Sequence, residues 1–290
     1  MKIKESELIL NPDGSIYHLN LKPEDIASDI IFVGDQDRVE KITKHFDSIE
    51  FTKQKREFKT QTGIYKGRRI TVMSTGIGPD NIDIVINELD ALVNIDLGTR
   101  QIKEQHTSLN IIRIGTSGAL QPDIPVNSFV LSEYGLSLDN MLRSYPIDTI
   151  SDQEAEKAFI SHTNWDLRKG HPCLVRCSKK LEQMIFSDSM HKGITATSGG
   201  FYGPQGRVLR IALQDAELNT KMDSFNHKGD RITNLEMETA AIYGLSALLG
   251  HEALSLNAII ANRANGTFSE DPYAAVNNLI EYTLNKIANS

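Results

Sequence analysis

Cysteine and tryptophan are scarce, with two of the former and one of the latter in 290 residues. A scaffold held together by several disulfides is excluded at once. Cys173 and Cys177 stand in the stretch HPCLVRC, with His162 and His171 nearby. Their spacing matches no standard zinc framework, so they read as two reduced structural thiols. No run approaches the roughly 20 apolar residues that a membrane helix needs. Positive charge is not in excess either: 31 Lys and Arg face 38 Asp and Glu, for a net charge of -7. Nucleic acid and anionic lipid are therefore poor partners, and the ligands are expected to be small. The opening stretch MKIKESELILNPDGS lacks the apolar centre and cleavage site of a secretory signal. A cytoplasmic location is the expectation. Repeats, low-complexity tracts and long linkers are missing too.

What is present is ordinary globular composition, 40% hydrophobic and 24% charged, in a chain long enough to bury a large core. Short β-rich apolar runs alternate with helical patterns. That alternation predicts one α/β domain over residues 1–290, with three layers and a central mixed sheet. Strands are expected at Asp29–Gly34, Arg69–Ser74, Asn110–Gly115, Ser128–Ser132, Gly193–Thr197 and Ala253–Ala261. Helices are expected at Arg38–Phe46, Asn81–Val93, Glu238–Leu249 and Tyr273–Ile287. Asn140–Trp165 has the weakest pattern and reads as a surface excursion.

In open α/β sheets ligands gather beyond the carboxyl ends of strands, so polar residues just after apolar runs come first. Gly34-Asp35-Gln36-Asp37-Arg38 follows one such run and opens a helix. It offers backbone N–H groups and a guanidinium to an anion, or it is a capped strand-to-helix turn. Arg113, set inside an apolar strand before Gly115-Thr116-Ser117-Gly118, is costly unless it pairs with a carboxylate or binds an anion. Glu236 and Glu238 precede a helical stripe. Two apart, they share no helix face and have different tasks unless the backbone there is not yet helical. One of them could accept hydrogen bonds from a sugar diol; otherwise both are acids favoured by a helix start.

Taken in order, these pieces resemble the nucleoside phosphorylase-I family, and its uridine phosphorylases in particular. The resemblance spans nearly the whole chain. It rests on His18-Leu19-Asn20-Leu21, Gly34-Asp35-Gln36-Asp37-Arg38, Arg56-Glu57-Phe58, Ser74-Thr75-Gly76-Ile77-Gly78, the run from Arg113, Phe201-Tyr202-Gly203-Pro204-Gln205-Gly206-Arg207, Glu236-Met237-Glu238-Thr239, and Asn262-Arg263. It implies phosphate held by the Gly34 amide, Arg38, Arg113 and Thr116, with Arg56 lent by a neighbouring subunit. Glu238 would hold the ribose hydroxyls, Met237 would pack beneath the sugar, and the neighbour's copy of His18 would reach the 5′-hydroxyl. Gln205 and Arg207 would read the uracil edge with Phe201 against the ring. Arg38, Arg113, Gln205, Arg207 and Glu238 form the implied catalytic set, and the role of Glu236 stays open. Self-association as a dimer or a trimer of dimers is implied as well. No cofactor or metal is implied, because inorganic phosphate enters as co-substrate.

Two departures stand out. Gln36 occupies the position where the family's phosphate loop has proline, and Pro79-Asp80-Asn81 follows Gly78 where many relatives have Gly-Pro-Ser. The interfacial cation that some relatives bind in that region is not carried over. Purine-cleaving members place a Ser-Asp pair where Asn262-Arg263 stands, and its aspartate protonates the purine ring. A neutral amide and a fixed cation cannot act as that acid at neutral pH. The residues thus imply displacement of uracil by phosphate through an oxocarbenium-like state. A purine or broad-specificity phosphorylase is the alternative within the family, and a non-catalytic nucleoside-binding protein is the alternative of another class.

Overall fold

The computed structural model describes residues 2–290. Its strands are β1 (Asp29–Val33), β2 (Ser48–Lys55), β3 (Phe58–Tyr65), β4 (Arg68–Ser74), β5 (Asn110–Ala119), β6 (Phe129–Ser137), β7 (Cys173–Arg176), β8 (His191–Thr197), β9 (Asp230–Glu236) and β10 (Glu252–Asn262). The helices are α1 (Gln36–Thr43), α2 (Pro79–Asn94), α3 (Gln153–Thr163), α4 (Lys179–Ile185), α5 (Leu218–Asp223), α6 (Thr239–Leu249) and α7 (Pro272–Ala288).

One mixed sheet runs β9-β8-β6-β10-β5-β1-β4-β3-β2. Strands β1, β4, β5 and β10 lie parallel to their neighbours within that group, as crossover helices require. The far end curls back: β9 pairs antiparallel with β5 at Asn234–Ala119 and Leu235–Gly118. This closure carries the end of β9 onto the end of β5. It is the reason that Glu236 and Arg113, distant in sequence, share one site.

The apolar strands are buried as their composition demands; Ile30, Ile31, Ile111, Ile114 and Leu254 are almost fully covered. Helix α6 approaches the sheet closely because Gly135 on β6 has no side chain, and a Cβ there would stand 2.7 Å from Ala240 Cα. Cys173 and Cys177 are unpaired and buried, and burial pushes both thiols up to about 12.

Two expectations are corrected. The strand expected at Asn110–Gly115 continues to Ala119, because β10 and β9 both supply ladder partners beyond Gly115. Thr116, Ser117 and Gly118 are therefore strand residues. The stretch Asn140–Trp165 is no surface excursion: it contains α3, whose Phe159 packs with Trp165 and Phe225 in a second apolar cluster.

Candidate active site

The cleft lies where β5, β9 and β10 end beside the start of α1. It encloses about 970 Å³. Of the residues singled out from sequence, Gly34, Arg38, Arg113, Thr116, Phe201, Gln205, Arg207, Glu236, Met237 and Glu238 all line it.

At its floor Arg113 extends along β5, on the same face as Gly115 two residues on. A Cβ on Gly115 would collide with the guanidinium, so glycine is required for the arginine to lie back over the strand. Nη2 of Arg113 donates to Glu238 Oε2 at 2.6 Å and stands 3.2 Å from Glu236 Oε2. Nη1 donates to Asn257 Oδ1 at 3.0 Å. The strand arginine is thus paired with carboxylates, and its proximate task is to hold Glu238. The two glutamates meet it together because the backbone is not helical at either position: Glu236 ends β9, and Glu238 is the residue before α6.

Their environments differ. Glu236 accepts from Thr197 Oγ1 at 2.6 Å and from the amides of Glu238 and Thr239 at 2.8 and 2.9 Å, so it caps α6. Both of its oxygens already have protein donors, although it borders the cleft. Glu238 accepts from the Gly78 amide at 2.8 Å through Oε1 and from Arg113 through Oε2. A carboxylate has about four acceptor positions, so capacity remains for a diol. Burial, with the charge of Glu236 adding to it, pushes the Glu238 carboxyl above its ordinary range against the pull of Arg113.

Arg38 supplies the uncommitted charge. Its Nη1 donates to the Ile114 carbonyl at 3.3 Å, and no carboxylate pairs with it among the described residues. Burial and then the neighbouring Arg113 lower its pKa below the ordinary guanidinium range, with Asp35 and Glu238 opposing. An anion placed there would relieve the repulsion between the two guanidiniums. Asp35 caps α1 through the Asp37 amide at 3.0 Å, so the capped-turn reading is the one observed, and the cap leaves Arg38 facing the cleft.

Another wall of the cleft is built by the segment from Phe201 to Arg207. Gln205 is 1% exposed. Its Nε2 reaches the Glu236 carbonyl at 3.3 Å and its Oε1 accepts from Arg207 Nη1. The Arg207 guanidinium lies 3.8 Å over the Phe201 ring and donates to the Phe201 carbonyl at 2.6 Å. This segment is a partition. A second cavity of about 810 Å³, apolar and bounded by Trp165, Tyr202, Pro204, Leu209 and Ile211, lies behind it, and Arg207 borders both spaces.

Arg56 and His18 do not line the cleft of their own chain. Arg56 sits exposed at the β2–β3 turn with φ 55°. His18 is bound by Glu88 of α2, Nδ1 to Oε1 at 2.6 Å. The two regions are tied together, because Lys55 Nζ donates to the Tyr17 carbonyl and lies 4.6 Å over the Tyr17 ring.

Residues 29–286 match the sequence profile of the phosphorylase superfamily. The chain belongs to that family. It is a nucleoside phosphorylase with that family's mixed-sheet fold. The uridine phosphorylase of Thermococcus kodakarensis is 29% identical over 273 residues, covering 93% of this chain and 85% of its own. A DeoD-type purine nucleoside phosphorylase of Bacillus thuringiensis is 28% identical over 273 residues, covering 92% and 96%. The crystal structure of a Trypanosoma brucei nucleoside phosphorylase described as showing uridine phosphorylase activity superposes with a TM-score of 0.87 at 28% identity, covering 98% of this chain and all of that one.

Several groups that support this phosphorylase cleft from behind had no supporting role assigned from sequence, Arg263 included although its motif was noted. Ser255 and Asn257 back Arg113 from β10, and the signal was there: two polar residues interrupt a strand of apolar ones. Arg263 donates to the Gln205 carbonyl at 2.6 Å and pins the partition; burial and then Arg207 lower it to about 10. Away from the cleft, Asp90, His106 and His251 gather near the opposite ends of β5 and β10. There the Leu109 amide donates to His251 Nδ1 at 3.2 Å, leaving the proton on Nε2, which stands 3.3 Å from Asp90 Oδ1. That tautomer offers a metal no lone pair at Nε2, which makes no hydrogen bond in this geometry.

Proposed function

We propose that this phosphorylase acts on uridine, with deoxyuridine as a further substrate, releasing uracil and the pentose 1-phosphate. The observation that carries the reading is the coupled Gln205–Arg207 pair at the base end of the cleft. An amide and a guanidinium together supply the donors and the acceptor that a carbonyl–NH–carbonyl edge requires. They also stabilise the negative charge that collects on the leaving pyrimidine. At the end of β10, the Asn262 amide donates to the carbonyls of Gln121 and Ile124 at 2.9 and 2.8 Å. It serves the fold, and neither it nor Arg263 is an acid for a purine nitrogen. The uridine phosphorylase relatives support the same assignment.

The mechanism follows from the residues. Arg38, beside the Gly34 amide and Thr116, receives phosphate. Arg113 fixes Glu238, and Glu238 takes the ribose hydroxyls with Met237 beside it. Phosphate then attacks the anomeric carbon as the C–N bond breaks, and its charge stabilises the sugar cation between them. A cleft completed by Arg56 and His18 of a second copy accounts for two residues that stand outside their own.

The test compares uridine, deoxyuridine, thymidine and inosine with and without inorganic phosphate. Phosphate-dependent release of uracil with ribose 1-phosphate is expected. Free ribose formed equally fast without phosphate would make the protein a hydrolase, and preferred cleavage of inosine would make it a purine phosphorylase, as some relatives at similar identity are.

A further inference from the structure

Gln36 is the first residue of α1, immediately after the Asp35 cap. Its side chain leaves the phosphate loop and joins the hairpin between β2 and β3. Nε2 donates to the Arg56 carbonyl at 2.6 Å, and Oε1 accepts from Gln54 Nε2 at 3.1 Å. Both ends of one amide are used, one on each side of Lys55. The carbonyl it grips belongs to a residue in the left-handed region, φ 55°. A side-chain-bearing residue resists that conformation, so the tip depends on contacts that hold it. Nearby, Ser74 Oγ donates to the Glu57 carbonyl at 2.6 Å and anchors the start of β3. The amide of Gln36 is what joins Arg56 itself to the loop that carries Gly34 and Arg38.

We propose that Gln36 is a positioning residue for Arg56. It fixes the hairpin tip against the phosphate loop, so that the Arg56 guanidinium projects from a held backbone. The inference rests on the phosphorolysis reading above and extends it to a residue with no assigned role. Gln36 borders the cleft, but both ends of its amide are committed to the hairpin, so in this scheme its action passes through Arg56.

Gln36→Pro is the informative variant. Proline is favoured at the first helical position, and Asp35 already has the extended backbone, φ -106° and ψ 133°, that a residue before proline adopts. The helix should therefore form while the latch is lost. Hydrogen exchange reads the latch without reference to activity: amides of residues 53–57 should exchange faster in the variant, with the rest of the sheet unchanged. Equal protection in both proteins would show that the latch does not hold the hairpin in solution. Steady-state kinetics read its purpose. The KM for phosphate should rise about tenfold, roughly what one hydrogen bond of good net strength is worth, while the KM for nucleoside stays within about twofold. In an Arg56→Ala background the same Gln36→Pro change should add nothing further. A full additional effect there, or an unaltered phosphate KM in the wild-type background, overturns the proposal. If the wild-type protein cleaves no nucleoside with phosphate, the proposed function fails while the exchange experiment still decides the latch.

Discussion

The guanidinium of Arg113 occupies the space in which a Cβ on Gly115 would stand. The two residues lie on one face of β5, and the smallness of one is the condition for the conformation of the other. Gly115→Ala should therefore displace Arg113 from Glu238 and leave a buried charge badly paired. We expect a folded protein less stable by about 1–3 kcal/mol and a fall in kcat/KM of at least about 100-fold. Thermal unfolding and initial rates check both. Gly118→Ala is the control, since a Cβ there meets its nearest neighbour at an ordinary 3.6 Å.

Acid should act on this site through Glu238. Burial raises its pKa above the ordinary 4.5, so on acidification it takes a proton before a free glutamate would. The acceptor that the proposed mechanism offers the sugar is then lost. The KM for nucleoside is expected to climb as pH falls through a region above 4.5, and Glu238→Gln should abolish that limb while lowering activity at every pH. In the same window the folded state holds a proton that the unfolded chain has released, so this group makes stability fall as pH rises. A nucleoside KM independent of pH down to the ordinary glutamate range would contradict the assignment.

The Gln205–Arg207 pair yields a separable prediction. Arg207→Ala should cost about 2–4 kcal/mol of barrier with uridine, by analogy with loss of a charge-stabilising donor. Gln205→Ala should cost less. Phosphate affinity should hold nearly constant in both, because the proposed mechanism assigns the pair to the base and Arg38 to phosphate. Measuring both Michaelis constants locates the residues; a loss confined to phosphate would place them at the wrong end.

Sharing of the cleft between copies can be read from mixed assemblies. Arg56→Ala and Arg113→Ala should each be nearly inactive. A dimer with one of each has one doubly damaged cleft and one intact cleft, so co-refolded mixtures should recover about one quarter of wild-type activity under random assortment. Verified mixed dimers without activity would place Arg56 within its own chain or couple the clefts.

Much of the fold was legible because its signals are local. The apolar runs of β1, β4, β8 and β10, and the periodic helices α2, α6 and α7, follow from spacing alone. The β2–β3 hairpin was hidden by its charge, since β2 lies at the sheet edge with one face in water. The sequence DRITNLE of β9 carries too short an apolar pattern to announce a strand, still less one that closes the sheet onto β5. That closure explains why Arg113 and Glu238, 125 positions apart, could be named separately as site residues while their contact could not. The second apolar cluster was missed for a similar reason: Phe159 and Trp165 stand amid polar neighbours and find their packing partner in Phe225.

The two ends of the cleft rest on different ground. Arg113, Thr116 and Glu236 belong to strands with ladder partners on both sides, and changing their backbone means disturbing the sheet. The segment from Phe201 to Arg207 belongs to no strand and stands as a thin wall with open space on either side. Substitutions and insertions in such a wall leave the strand framework beside it undisturbed. On the proposed assignment, a change of leaving group would fall on this wall, and the strands behind it would keep their ladder partners.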